Sequence, residues 1–169
     1  MRGKLVLACL VLVACMCPHS IALANGSAGV SITAEGQQIS ISILPDTYDF
    51  GPVTEGGTYE TSLSVFTLTN DSNVAIDTTI QGANAKGSGD YEWILSNYAN
   101  PGADIYGLKA GLEGGYFNII VKKDSPYNPL VDGLASGYSQ GFGLQLSAPT
   151  EIASSEQVSA TVTVTAVIA

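Results

Sequence analysis

The chain has 169 residues and a formal net charge of −9, with 15 acidic residues against 6 basic ones. This acidic balance excludes nucleic acid and anionic membrane surfaces as expected partners, because like charges repel. All three cysteines and the only histidine lie in the first 19 residues. The rest of the chain therefore has no thiol or imidazole for a nucleophile, a zinc site or a disulfide.

The first 24 residues have the order of a secretory signal peptide. Arg2 and Lys4 precede an uncharged apolar run, and Ala-Leu-Ala at residues 22–24 is a small-x-small cleavage site. The apolar run is shorter than the roughly 20 residues that span a bilayer. We therefore expect a signal peptide at residues 1–24, a secreted domain at residues 25–169 and no transmembrane span.

A second cleavage site competes with the first. The sequence Leu-Val-Ala-Cys, ending at Cys15, resembles a bacterial lipobox and would put a lipid anchor on that cysteine. The spacing of the signal layout favours cleavage after Ala24. We expect a secreted or cell-surface protein, with a membrane-tethered lipoprotein as the alternative.

After the signal segment, short runs of alternating apolar and polar residues follow one another, with turn-forming residues about every ten positions. VSITA and ISISIL flank residues 35–37 and predict a hairpin or two edge strands. In VFTLTNDSNVAIDTTI two strands flank a turn at residues 70–73, and a change of phase predicts a bulge near Val65. Val74, Ile76 and Ile80 are predicted to face the core.

Four further runs alternate toward the C-terminus: YEWILS, YFNIIVKK, FGLQLS and QVSATVTVTAVIA. Their predicted inward residues are Tyr91, Trp93, Leu95, Phe117, Ile119, Val121, Phe142, Leu144, Leu146, Val158, Ala160, Val162, Val164, Ala166 and Ile168. Period-two alternation without a helical pattern is typical of strands with one buried face. We predict an all-β fold, a single immunoglobulin-like antiparallel β-sandwich of about eight or nine strands.

Three stretches resemble known families. Phe-Gly-Pro-Val at residues 50–53, followed by Phe-Thr-Leu-Thr-Asn at residues 66–70, resembles immunoglobulin-like domains of prokaryotic surface proteins. Thr-Asn-Asp-Ser-Asn-Val-Ala-Ile-Asp at residues 69–77 resembles the camelysin/TasA-type secreted filament subunits. Trp-Ile-Leu at residues 93–95 resembles the WxL cell-wall-binding domain. These resemblances imply a β-sandwich, a location at the cell surface and, for the second family, assembly into filaments.

Carboxylates are the remaining groups with acid–base or metal-binding chemistry. Asp90, Glu92 and Asp104 beside Trp93 could be arranged as in a glycosidase, but scattered loop acids are more often solvated, and Trp93 alternates as a core residue. We therefore expect no catalytic residues and no enzyme activity. Calcium binds oxygen ligands in loops, although no D-x-D-x-D-G loop is present. The calcium candidates are Asp46, Asp49, Asp71 and Asp104, with Asn73, Asp124 and Asp132 as further ligands.

Loop tyrosines and two glycosylation sequons are the remaining candidates. Exposed tyrosine rings stack on sugars or partner proteins, although tyrosines also rim the core of a sandwich. The candidates in or beside loops are Tyr98, Tyr106, Tyr127 and Tyr138. The triplets that begin at Asn25 and Asn70 match the N-glycosylation acceptor.

The functional prediction rests on the free edge strands that a β-sandwich has. Each edge strand is a template for another strand, and residues 30–44 are extended and nearly uncharged. We expect a non-catalytic extracellular structural protein that self-assembles as a filament or surface-layer subunit, with residues 30–44 as donor or residues 157–169 as acceptor. The other possibility is that residues 25–44, which we call the leader, pair within their own domain. The alternative function is a monomeric adhesion module that binds glycans or other surface proteins through the loop tyrosines.

Overall fold

The computed structural model describes residues 31, 33–123, 125 and 128–169. The chain divides into two units, Met1–Ala34 and Glu35–Ala169, and every strand of the described residues lies in the second. The predicted signal peptide, the lipid site at Cys15, the sequon at Asn25 and the candidates Asp124 and Tyr127 lie outside the described residues.

The part of the chain that the structure describes contains eleven strands and no helix, which confirms the all-β prediction. No helix there is long and apolar enough to cross a membrane. The strands are β1 (Ile41–Leu44), β2 (Thr58–Glu60), β3 (Phe66–Asn70), β4 (Ile76–Gly82), β5 (Ala85–Lys86), β6 (Glu92–Leu95), β7 (Ile105–Leu112), β8 (Ile119–Ile120), β9 (Pro129–Leu134), β10 (Ser139–Ser147) and β11 (Val162–Ile168). The strands that no predicted run covers are β2, β5, β7 and β9. β2 and β5 are only two or three residues long, too short to show alternation, and β7 and β9 have glycine within the strand.

The strands form two sheets. The large sheet has the order β1-β3-β10-β7-β6-β5, with β2 paired to β10 and β8 paired to β7. The small sheet has the order β11-β4-β9. All pairs are antiparallel except β6 with β7, which is parallel. The molecule is thus a β-sandwich with one departure from the purely antiparallel pattern predicted.

The core contains most of the residues that alternation placed inward, but Ala160 and Ile168 are exposed, so the prediction is wrong for these two. Ile76 and Ile80 of β4 are fully buried, as are Leu68 and Val121, and Trp93 is 5% exposed. Phe142, Leu144 and Leu146 of β10 join the same core. On β11 the alternation holds over Val162, Val164 and Ala166, but these residues are only half-buried. The terminal strand begins at Val162, five residues after Gln157, where the predicted run begins.

Loops lie close against the outer face of β7 and β10, where both strands carry glycine. A Cβ atom added at Gly107 would lie 2.7 Å from the Ala99 carbonyl oxygen, and one at Gly111 would lie 2.7 Å from Leu63. The predicted bulge near Val65 is a turn instead, closed by the Val65 N–H donating to the Ser62 carbonyl. The turn directs Leu63 toward Gly111, and this explains why the apolar alternation changes phase near Val65.

Candidate functional site: the open seam between the sheets

One side of the sandwich carries two edge strands. Among the described residues β1 pairs with β3 alone, and β11 pairs with β4 alone. Ile43 of β1 and Val162 and Val164 of β11 line the same groove, so the two edges flank one opening between the sheets. We call this opening the seam.

β11 is an unprotected edge strand. Its seven residues stay in unbroken register with β4 and include no charge, proline or glycine. β9, at the opposite edge of the small sheet, has Pro129, Asp132, a Gly133 with φ of 65° and two register shifts. Proline, charge and bulges are the features by which proteins block pairing at sheet edges. β9 has them and β11 does not.

The seam opens onto the core. Its narrower part has a volume of about 310 Å³ and is lined by Ile43, Phe66, Phe142 and Val164, among others. It continues into a wider part of about 840 Å³ whose lining includes Trp93, Tyr106, Leu108 and Leu146. A groove lined by apolar side chains of both sheets is a site for an apolar occupant.

Residues 45–53, which we call the strap, cross the seam between β1 and β2. Tyr48 packs edge-on against Phe50, with ring centroids 5.0 Å apart, and against Phe66, 6.1 Å apart. Within the part of the chain that the structure describes, the backbone of the strap makes no backbone-to-backbone hydrogen bond, and its Gly51 N–H bonds to the Asp49 carboxylate within the strap. Among these residues it is side-chain packing that holds the strap over the groove.

The other wall of the groove is fixed by a network around Tyr91. The Tyr91 hydroxyl accepts hydrogen bonds from Trp93 Nε1 at 2.9 Å and from the Ser154 N–H at 3.2 Å, and donates one to Asp104 at 3.0 Å. Asp104 also accepts from the Ala153 N–H. This network ties the segment before β11 to the end of the large sheet, so this wall is held by hydrogen bonds that the strap lacks.

Tyr106 lies on the floor of the groove. Its hydroxyl donates to the Ala83 carbonyl at 2.5 Å, and burial raises the pKa of Tyr106 well above its ordinary value of 10.0. Desolvation disfavours the phenolate, so the hydroxyl stays a neutral donor. The prediction of Tyr106 as a loop tyrosine is wrong, because it alternates with Leu108 on the inward face of β7.

The second half of the predicted donor is paired within its own domain. Residues 41–44 form β1, and just before them Ser72 Oγ accepts from the Ser40 N–H while Asn73 Oδ1 accepts from the Gln38 N–H. The predicted donor range, residues 30–44, is therefore too long, since its second half completes the large sheet.

The calcium candidates are dispersed. Asp46 and Asp49 lie in the strap, whereas Asp71 follows the end of β3 and Asp104 precedes the opposite end of the large sheet. Within the described ranges no three or more acidic, histidine or cysteine side chains group closely enough to hold a metal. Asp132 lies in β9.

The remaining candidates also separate. Trp93 is buried, as predicted, and Glu92 lies on the opposite face of β6, so Trp93 offers no platform beside that carboxylate. Tyr98 is 76% exposed and Tyr138 is 67% exposed. The loop of Tyr98 packs near Gly107, while the Tyr138 carbonyl accepts from the Asn70 N–H at the other end of the sandwich. These two tyrosines therefore do not form one surface.

Asn70 is fully buried, so the second sequon has no accessible amide. Its Nδ2 donates to the carbonyls of Val74 at 2.9 Å and Leu134 at 2.7 Å, and its Oδ1 accepts from the Ser72 N–H at 2.9 Å. The motif that matched a glycosylation acceptor is a structural joint between the β3–β4 and β9–β10 turns.

Neither models of known protein families nor curated protein sequences match this chain. The resemblances to immunoglobulin-like surface domains, camelysin/TasA-type subunits and the WxL domain thus stay predictions.

Proposed function

We propose that the protein is a non-catalytic extracellular structural protein whose copies join through edge-strand pairing into a filament or surface layer. The observation that carries this proposal is β11, a regular and uncharged edge strand of seven residues. Segments of this length with β-branched residues and no charge or proline pair readily with further strands. A monomeric protein would be expected to protect such an edge, as β9 is protected.

Exposed apolar side chains on both seam strands support the same proposal. Leu44 of β1 and Val167 and Ile168 of β11 are exposed. Leu44 lies at the Phe66 end of the seam, and Val167 and Ile168 lie at the Asn70 end, so exposed apolar side chains are present at both ends for a partner strand to cover. Secretion, which the N-terminal segment predicts, would put this edge outside the cell.

A lysine on the edge strand tests the proposal. Thr165 lies on the exposed face of β11, and Thr67 is an equally placed threonine on β3, which is paired on both sides. Thr165→Lys should raise the protein concentration needed for assembly, measured by sedimentation and negative-stain electron microscopy, because an edge lysine opposes strand addition. Thr67→Lys should leave that concentration unchanged. Equal assembly of both variants would remove β11 as the interface.

A monomeric binding module is the second candidate function, supported by the exposure of Tyr98 and Tyr138. It predicts binding to a glycan or a surface protein without self-assembly, because exposed aromatic rings supply contact area at low entropic cost. Since the two rings lie at opposite ends of the sandwich, Tyr98→Ala and Tyr138→Ala should then affect different ligands or only one of them. A glycan-array screen of both variants measures this.

A further inference from the structure

We infer that the seam is the acceptor for one specific strand, residues 28–34 of a second copy of the chain, and that the strap occupies part of the seam until that strand enters. This inference rests on the proposed function and names its partner segment and its conformational step. It is carried by three observations: the apolar groove between two open edges, the strap without backbone pairing, and the direction in which the leader leaves the sandwich.

The groove and the segment match in length and pattern. β11 has seven residues, which span about 23 Å at the usual strand rise, and residues 28–34 would span the same length. Val30, Ile32 and Ala34 alternate with Ser31 and Thr33. A strand in this phase places its three apolar side chains on one face, toward the groove, and its hydroxyls on the other.

The backbone of the edges favours a strand over a small apolar ligand. Both β1 and β11 have one side without a partner strand among the described residues. A peptide strand laid between them would bury apolar side chains in the groove and pair its own amides with an edge, whereas an acyl chain would leave the edge amides to water.

The geometry of the leader points to a second copy. Residues 38–40 run beside Ser72 and Asn73, past the Asn70 end of the β1–β3 pair. The groove is lined by Ile43 and Phe66, at the other end of that pair. The chain therefore meets the sandwich at the Asn70 end, where Asn73 also bonds to the Gly36 carbonyl, and β11 reaches the same end because Ile168 pairs with Ile76. Residues 28–34 could reach their own β11 only by reversing direction between Glu35 and Gln38, whereas the same residues of a second copy need no reversal. A strand passed from one copy to the next gives a head-to-tail contact, which extends into a filament when the rotation does not close.

The position of the strap allows the incoming strand to displace it from the groove. Tyr48 and Phe50 cover Phe66 in the narrow part of the groove, and Tyr48 is itself 45% exposed. Because no backbone-to-backbone hydrogen bond among the described residues ties the strap to either sheet, its displacement breaks mainly side-chain contacts. The opposite wall, fixed by the Tyr91 network, stays in place as the strand enters.

Paired substitutions in the leader test which segment enters. Ile32→Asp puts a charge on the face that would be buried, and Thr33→Asp puts the same charge on the other face. Both lie outside the unit Glu35–Ala169, which contains every described strand. We expect Ile32→Asp to raise the threshold concentration for assembly by about tenfold or more, and Thr33→Asp to change it little. If the chain assembles but Ile32→Asp assembles equally well, the inference fails and the proposed function stands; if the unaltered chain does not assemble, the proposed function fails.

A substitution in the strap tests its displacement. Tyr48→Ala removes an aromatic contact that is present only while the strap covers the groove, so the threshold should fall by about two- to tenfold. Tyr98→Ala, at an exposed ring far from the seam, should leave the threshold unchanged. A higher threshold for Tyr48→Ala, with its urea midpoint retained, would show that the strap supports assembly and would overturn this step.

A direct binding measurement keeps the inference testable if a variant does not fold. Trp93 lines the groove and is the only tryptophan, so its fluorescence reports occupancy. The unit Glu35–Ala169 contains every described strand and the whole core. A peptide of residues 25–34 added to this unit should give a saturable change in Trp93 fluorescence, and the same peptide with Ile32→Asp should not. No change with either peptide, or the same change with both, would overturn the inference.

Discussion

Asn70 offers the sharpest test of how the sandwich is held together at the end where the leader enters. It is fully buried, and its side chain makes three hydrogen bonds: to the Val74 carbonyl, to the Leu134 carbonyl and from the Ser72 N–H. In Asn70→Ala these three backbone groups lose their partner. The joint between the β3–β4 and β9–β10 turns is then without its central side chain.

The magnitude follows from the burial of those groups. The bonds to Leu134 and Ser72 are buried, and the bond to Val74 is partly buried. Each buried polar group left without a partner costs about 1–3 kcal/mol, so the two buried ones give a loss of about 2–6 kcal/mol. This is a large share of the roughly 5–15 kcal/mol by which a domain is stable. Asn70→Asp should cost at least as much at neutral pH, because a carboxylate faces two carbonyls without a proton to donate.

Urea unfolding followed by Trp93 fluorescence measures the loss, since this single tryptophan is buried in the core. Asp71→Ala is the matched control, an exposed side chain one residue further along, and it should change the free energy of unfolding by less than about 0.5 kcal/mol. An Asn70→Ala loss no larger than that of the control would refute the assignment of Asn70 as the joint.

Two further predictions concern the large sheet. Because burial raises the pKa of Tyr106, its contribution to stability is present below the ordinary pKa of 10.0 and is lost as the pH rises above it. Tyr106→Phe should therefore flatten the loss of stability above pH 10, whereas the exposed Tyr98→Phe should not; thermal unfolding between pH 8 and pH 11 distinguishes them. Gly107→Ala should destabilise the fold by about 1–3 kcal/mol, since its Cβ would lie 2.7 Å from the Ala99 carbonyl oxygen. Gly36→Ala, with no atom within 4 Å of its Cβ, is the control, and equal stability of the two variants would contradict the close approach.

Period-two alternation predicted much of the core, because apolar residues at every second position of a strand lie on one face and that face is buried. Ile76, Ile80, Trp93 and Phe142 were predicted inward and are buried. Length limits this signal, so the two-residue strand β5 was missed. The parallel pairing of β6 with β7 could not be predicted either, since it depends on long-range contacts rather than on any local pattern.

The seam was predicted only in part. The uncharged terminal run indicated an open edge, and β11 is one. The strap was missed because TYDFGPV contains two aromatic residues and a turn but no strand-length alternation. The donor range was drawn too long because residues 30–44 read as one extended run. Only the partners Ser72 and Asn73 show that residues 38–44 belong to the domain itself.

Negative-stain electron microscopy of the purified residues 25–169, with and without calcium, tests the proposed role most directly. Filaments or ordered sheets that form in the presence or absence of the ion, and that Thr165→Lys weakens, are the predicted result. Dispersed single sandwiches at every concentration and in both conditions would contradict self-assembly. That result would favour the alternative function, a monomeric module that binds through its exposed tyrosines.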